Sequence, residues 1–142
     1  MSLKIIGFTL QDMNDLKYRV DIEGYPCQRP RLGKYGNTHN TTKYTRHKRD
    51  LAFLLKQANI EEKEIEYVVM RFYFAYPASE PKKNRIDEAP MNRKYDIDNL
   101  AKSFLDALQD AQVIKDDRLI CGIYAEKMFT IEPRGWIEFE FE

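Results

Sequence analysis

The stretch Glu64-Ile65-Glu66-Tyr67-Val68-Val69-Met70-Arg71-Phe72-Tyr73-Phe74-Ala75-Tyr76 decides the fold. Tyr67, Val69, Arg71, Tyr73 and Ala75 alternate with Val68, Met70, Phe72 and Phe74, which is the two-residue period of a β-strand. Both sides of that strand are largely apolar. The pattern therefore predicts a strand in the middle of a sheet. Upstream, Thr41 or Thr42 caps a helix reaching about Ala58, with Tyr44, Leu51, Leu55 and Ala58 inward and Arg46, Arg49 and Lys56 outward. Further back, residues 17–23 alternate as another strand, residues 3–10 are a candidate for an additional one, and residues 26–40 read as a loop. Downstream, the polar, proline-containing residues 77–95 predict a long loop, functional or flexible rather than structural. A second helix follows over 98–111, with Leu100, Phe104, Leu105, Ala107, Leu108 and Ala111 inward. Residues 119–129 and 136–141 alternate as two closing strands, expected to form a hairpin that turns at 132–135.

This order indicates one α/β domain, residues 1–142, with a mixed sheet and two main helices. A chain of 142 residues with 43% hydrophobic and 13% aromatic residues can bury a true core, which excludes a disordered or fibrous protein. No apolar run approaches the roughly 20 residues of a membrane span, and no signal-peptide pattern opens the chain. Cys27 and Cys121 lack metal-ligand or disulfide-framework spacing, so a reducing cytoplasm is the expected location.

The 23 basic and 23 acidic residues cancel, but they are segregated along the chain. Between Gly24 and Arg49 there are seven Lys or Arg residues and no acid. Arg29, Arg31, Lys34, Arg46 and Arg49 suit backbone phosphates, and Lys82, Lys83, Arg85, Arg93 and Lys94 in the later loop form a second basic group. Acids dominate residues 96–117.

Within that acidic region lies Tyr95-Asp96-Ile97-Asp98-Asn99-Leu100, followed by Lys102 and by Lys115-Asp116-Asp117. In an extended approach to the helix, Asp96 and Asp98 project to one side, about 7 Å apart. Lys102 sits one turn on from Asp98, and a chain reversal could return Asp117 to the start of the helix. Three carboxylates and an ammonium would then converge, and hard divalent cations prefer such oxygen ligands. Each residue also has an ordinary explanation. Asp98 can cap the helix or pair with Lys102, and Asp116 and Asp117 can be turn residues. Aspartates beside phosphate-binding loops, however, repel the phosphates unless a metal offsets the charge.

Three blocks, Asp96-Ile97-Asp98-Asn99-Leu100-Ala101-Lys102, Asp106-Ala107-Leu108 and Lys115-Asp116-Asp117, resemble the central motif of the RusA family of Holliday junction resolvases, mostly encoded by phages and prophages. Gly24-Tyr25-Pro26 with Arg29-Pro30-Arg31 is similar to that family's Pro- and Arg-containing loop, and Lys127 falls where the family usually has a strand lysine. The resemblance spans residues 17–141 and leaves residues 1–15 as an unmatched extension. Two departures stand out: Tyr95 where proline is frequent, and Gln112 where glycine is common.

The resemblance implies a RusA-like fold in which Asp96, Asp98 and Asp117 are catalytic and metal-binding acids and Lys102 is the essential lysine. It implies a homodimer that cuts four-way DNA junctions with Mg²⁺, in recombination and repair, leaving 5′-phosphate and 3′-hydroxyl ends. No organic cofactor or membrane partner is expected. Two other readings stay open: a non-catalytic branched-DNA-binding protein, and a nuclease for flaps or other branched substrates. Either of two apolar strands, 67–75 or 136–141, could supply the dimer interface. Gly122-Ile123-Tyr124 spells half of another nuclease signature, but without its second half it reads as coincidence. His39 and His47 read as polar or helix-face residues.

Overall fold

The alternation over 67–75 is realised as a nine-residue strand with hydrogen-bonded neighbours on both sides. The computed structural model describes residues 3–6, 17–28, 31–32, 38–39, 42–61 and 64–142. In chain order they supply β1 (Leu3–Ile6), β2 (Lys17–Val20), β3 (Arg31–Leu32), β4 (Thr38–His39), α1 (Thr42–Gln57), β5 (Tyr67–Ala75), α2 (Ile97–Asp110), β6 (Gly122–Thr130) and β7 (Trp136–Phe141). Five strands form one sheet in the order β1-β2-β7-β5-β6. Every neighbouring pair is antiparallel except β5 and β6. A parallel pair needs a crossover connection, and α2 lies within it. The result is the expected α/β fold with a mixed sheet and two helices.

One face of the sheet carries Tyr18, Val20, Val68, Met70, Phe72, Phe74, Ile137, Phe139 and Phe141, all buried. Against it pack Leu51, Leu54 and Leu55 of α1 and Leu100, Phe104, Ala107 and Leu108 of α2. Phe104 sits edge-on to both Phe72 (6.2 Å) and Phe139 (5.1 Å), so one helical residue ties two strands together. The opposite face carries no helix among the described residues, but a small buried cluster of Tyr73, Met128 and Trp136. There Tyr73 stacks on Trp136 at 4.4 Å, the Arg19 guanidinium lies 4.0 Å from the Trp136 ring centroid, and Tyr67 and Tyr124 are exposed.

Four expectations change. First, β6 and β7 do not form a hairpin. Both pair with β5 instead, on opposite edges, with Phe74 opposite Phe129 and Tyr73 opposite Trp136. Residues 131–135 therefore cross over the carboxyl end of β5. Gly135 makes that crossing possible, since a Cβ there would lie 2.1 Å from the Tyr73 carbonyl oxygen.

Second, neither strand offered as a dimer interface has a free edge, because β5 lies between β7 and β6, and β7 between β2 and β5. Third, residues 26–40 are not all loop: Arg31 pairs with His39 and Leu32 with Thr38. The additional N-terminal strand covers Leu3–Ile6, with Leu3 opposite Val20, while residues 7–10 lie outside the described residues.

Fourth, the segment 77–95 is built, not loose. The Arg85 guanidinium donates to the Glu80 carbonyl (2.8 and 3.1 Å) and the Pro77 carbonyl (3.4 Å). Arg93 grips the Glu80 carboxylate through two bonds of 3.0 and 3.1 Å. Further on, the Glu88 amide donates to the Phe129 carbonyl, the Phe129 amide to the Ala89 carbonyl and the Met91 amide to the Lys127 carbonyl, at 2.8, 2.8 and 3.2 Å. The loop thus lies along the carboxyl half of β6 and leads into α2. Among the described residues, no helix is long and apolar enough to cross a membrane.

Candidate active site

The helix α2 begins at Ile97, one residue earlier than the sequence suggests, and Asp96 is its N-cap. Aspartate at this position usually accepts a bond from the backbone of the first turn. Here the Asp96 carboxylate makes no such bond, although its backbone is extended (φ −70°, ψ 132°). Asp98 occupies the first turn. Both are exposed, at the end of the helix where the backbone dipole favours negative charge.

The residue before the cap is held in an unusual conformation. Tyr95 has φ 62°, the left-handed region, where a residue with a Cβ costs roughly 1–2 kcal/mol. Its ring packs on Phe74 (5.6 Å) and Tyr25 (6.1 Å), and its carbonyl accepts a hydrogen bond from the Lys127 ammonium. The same ammonium donates to the Lys94 carbonyl at 2.8 Å. Bonds from a charged donor contribute about 1.5–3 kcal/mol each, enough to offset the backbone cost. On the other side of the helix start, the Cys27 amide donates to the Asn99 carbonyl at 2.9 Å, which docks residues 24–28 beside the first turn of α2.

Along α2, the spacing of Asp98, Lys102, Asp106 and Gln109 puts them in one stripe. Lys102 is exposed and pairs with Asp106 at 3.6 Å; among the described residues, no ion pair joins it to Asp98. Such an exposed pair is weak, so the ammonium remains available to a phosphate. At the far end, the Asp117 amide donates to the Gln109 side-chain oxygen at 3.0 Å. Gln109 lies about 16 Å along the axis from Asp98, so the chain reversal docks Asp117 at the carboxyl end of α2. Among the described residues, no three His, Cys, Asp or Glu side chains gather into a metal-holding group. The three-carboxylate convergence expected from the spacing is not formed.

The donor chemistry nevertheless suits a hard cation. Mg²⁺ typically takes one or two carboxylates and completes its shell with waters and substrate phosphates, and Asp96 with Asp98 offers such a pair. Asp116 plays a structural part: it opens the short 3₁₀ turn Asp117–Leu119 and accepts from both the amide (2.9 Å) and the guanidinium (2.7 Å) of Arg118. That side-chain bond, helped by the amide, holds the Asp116 carboxyl down to about 2.

The proposed DNA contacts are unevenly placed. Arg46 and Arg49 are exposed on α1, with Arg49 3.7 Å from Asp50. Lys82 and Lys83 are exposed on the 3₁₀ turn Lys82–Asn84, and the Lys94 ammonium lies 4.8 Å from the Tyr95 ring centroid. Arg85 donates to loop carbonyls through its Nε and one terminal nitrogen. Arg29 and Lys34 lie outside the described residues, and Arg31 lies in β3. His47 is half-buried on α1. Its Nε2 lies 2.7 Å from the Glu23 carbonyl, its ring packs on Tyr25 at 5.7 Å, and burial lowers its pKa. Asp106 and Gln109, which pair with Lys102 and the Asp117 amide, complete the stripe along α2. Their spacing from Lys102, four and seven residues, is the mark of it in the sequence.

The family model of endodeoxyribonuclease RusA matches residues 21–140. The chain belongs to the RusA family. The match encloses the Asp96–Asp98 pair, Lys102, Asp117 and Lys127, and the family's name makes this RusA domain a nuclease by descent. No individual curated protein matches it.

Proposed function

We propose that this RusA-family chain is a Mg²⁺-dependent endonuclease that cuts four-way DNA junctions as a homodimer, in recombination and repair. One observation supports the reading above the others. Within a span matched by an endodeoxyribonuclease family, the Asp96 carboxylate is left unused by the helix that it caps, with Asp98 beside it.

In this reading Asp96 and Asp98 hold the cation at the N-terminus of α2, and Asp117, moored to Gln109 at the other end of the helix, joins them only if the Lys115-Asp116-Asp117 step moves toward that end when DNA binds. When bound, Mg²⁺ polarises the scissile phosphate and acidifies a water. Lys102, exposed one turn beyond Asp98, stabilises negative charge growing on the phosphate and the leaving 3′ oxygen. Exposed Arg46, Arg49, Lys82, Lys83 and Lys94 contact backbone phosphates, which fix position and carry no sequence information. Two copies related by a two-fold axis supply two sites for the two strands of a symmetric junction. The isolated thiols Cys27 and Cys121 suit a reducing compartment such as the cytoplasm.

The test is incubation of the full chain with labelled four-way junction and linear duplex, with and without Mg²⁺. Cleavage of the junction alone, and only with Mg²⁺, is expected. Junction binding without cleavage would make the chain a recognition protein, and equal cutting of both substrates would make it a general nuclease.

A further inference from the structure

Lys127 stands on the wrong side of its sheet for a charged residue. The register that sets it opposite Phe72 puts it on the helix-facing side, with Ala125 and Phe129 as its neighbours along that side of β6. An ammonium has three donors and no acceptor, and placing it against an apolar layer is costly unless the donors are used. Two of them are used, on the consecutive carbonyls of Lys94 and Tyr95. The Lys127 backbone carbonyl also receives the Met91 amide at 3.2 Å. One residue therefore grips both ends of the run 91–95, immediately before Asp96.

What that run does is the second half of the argument. Tyr95 is left-handed without being glycine, and such a conformation persists only where the surroundings over-determine it. The residue that follows is a helix-capping aspartate whose side chain does not cap. We propose that Lys127 is a positioning residue. By drawing the Lys94 and Tyr95 carbonyls together it fixes the left-handed turn that aims the Asp96 carboxylate away from the helix amides and toward the cation. The proposal rests on the nuclease reading of the Asp96–Asp98 pair, and it concerns the protein's own backbone, with no contact between Lys127 and DNA.

The experiment compares the full chain with Lys127→Met, which keeps the stem and loses the donors, and Lys127→Arg, which keeps charged donors. Three quantities are measured: Mn²⁺ affinity of the DNA-free protein by calorimetry, four-way-junction affinity in EDTA, and the thermal midpoint. Lys127→Met is expected to bind Mn²⁺ about 10- to 100-fold more weakly, as loss of a residue that orients a ligand does. Its junction affinity in EDTA should stay within about twofold, and Lys127→Arg should recover most of the Mn²⁺ affinity. Wild-type Mn²⁺ affinity in folded Lys127→Met overturns the proposal, as does a parallel loss of junction affinity in EDTA. Should Lys127→Met melt below the assay temperature, Lys127→Gln replaces it: an intermediate loss supports the proposal, and wild-type affinity overturns it. A wild-type chain that neither binds Mn²⁺ nor cuts junctions overturns the nuclease reading itself, whereas a cutting wild type with an unaffected Lys127→Met overturns the positioning role alone.

Discussion

The Asp117 amide donates to the side-chain oxygen of Gln109 at 3.0 Å, and this bond moors the Lys115-Asp116-Asp117 step to the carboxyl end of α2. Gln109 is exposed and its bond can be replaced by water, so Gln109→Ala should change stability by no more than about 0.5 kcal/mol. If Asp117 works with the Asp96–Asp98 pair, unmooring it should slow junction cleavage by about tenfold. Single-turnover rates for Gln109→Ala check this. An unchanged rate would detach Asp117 from the catalytic group.

Gln112 follows α2 with φ 60°, while the Val113 amide returns to the Leu108 carbonyl at 3.0 Å. This is a helix end that favours glycine. Gln112→Gly removes a Cβ from left-handed backbone and should stabilise the fold by up to about 1 kcal/mol, net of the freedom glycine gains in the unfolded chain. Urea unfolding measures it. A loss of stability would mean that the Gln112 side chain has a packing role.

His47 gives a pH signature. Burial is the main cause of its lowered pKa, so the folded protein holds it neutral while the unfolded chain binds a proton near pH 6.5. Its contribution is therefore complete above about 6.5 and declines as pH falls toward the lower folded value. His47→Gln should flatten the stability difference between pH 7 and pH 5. Urea midpoints at the two pH values read it, and an undiminished difference would assign the effect elsewhere.

The sequence shows most of the sheet and hides how two strands join it. β5 is legible from its nine-residue alternation, with one side, Val68, Met70, Phe72 and Phe74, wholly apolar. The β6–β7 misassignment has a physical source: short connections usually make hairpins, but β5 inserts between these two strands, and pairing across 55 residues leaves no local mark. Gly135 was the one local trace of the crossing. Of the proposed site, Asp96, Asp98 and Lys102 stand out by their spacing. The left-handed turns at Tyr95 and Gln112 are not, because neither residue is a glycine. The Arg85 bonds are hidden for a similar reason: its acceptors are backbone carbonyls, and every residue has one.

Arg46 and Arg49 lie on the exposed side of α1. If each meets a phosphate, replacing both by alanine should lower the slope of log affinity against log salt by about 2, one per lost contact. Junction binding in EDTA at several salt concentrations gives the slope. A slope equal to wild type would move the DNA surface to Lys82, Lys83 and Lys94.

The central claim is that the carboxylates at the start of α2 hold the cation that makes this chain a nuclease. Asp98→Asn keeps the shape of the side chain and removes the charge a hard cation requires. The most direct measurement is its single-turnover cleavage of a four-way junction at saturating Mg²⁺, with junction affinity measured in parallel. The account predicts a loss of at least about 100- to 1,000-fold in rate, with junction binding retained. Cleavage by Asp98→Asn at the wild-type rate would contradict it.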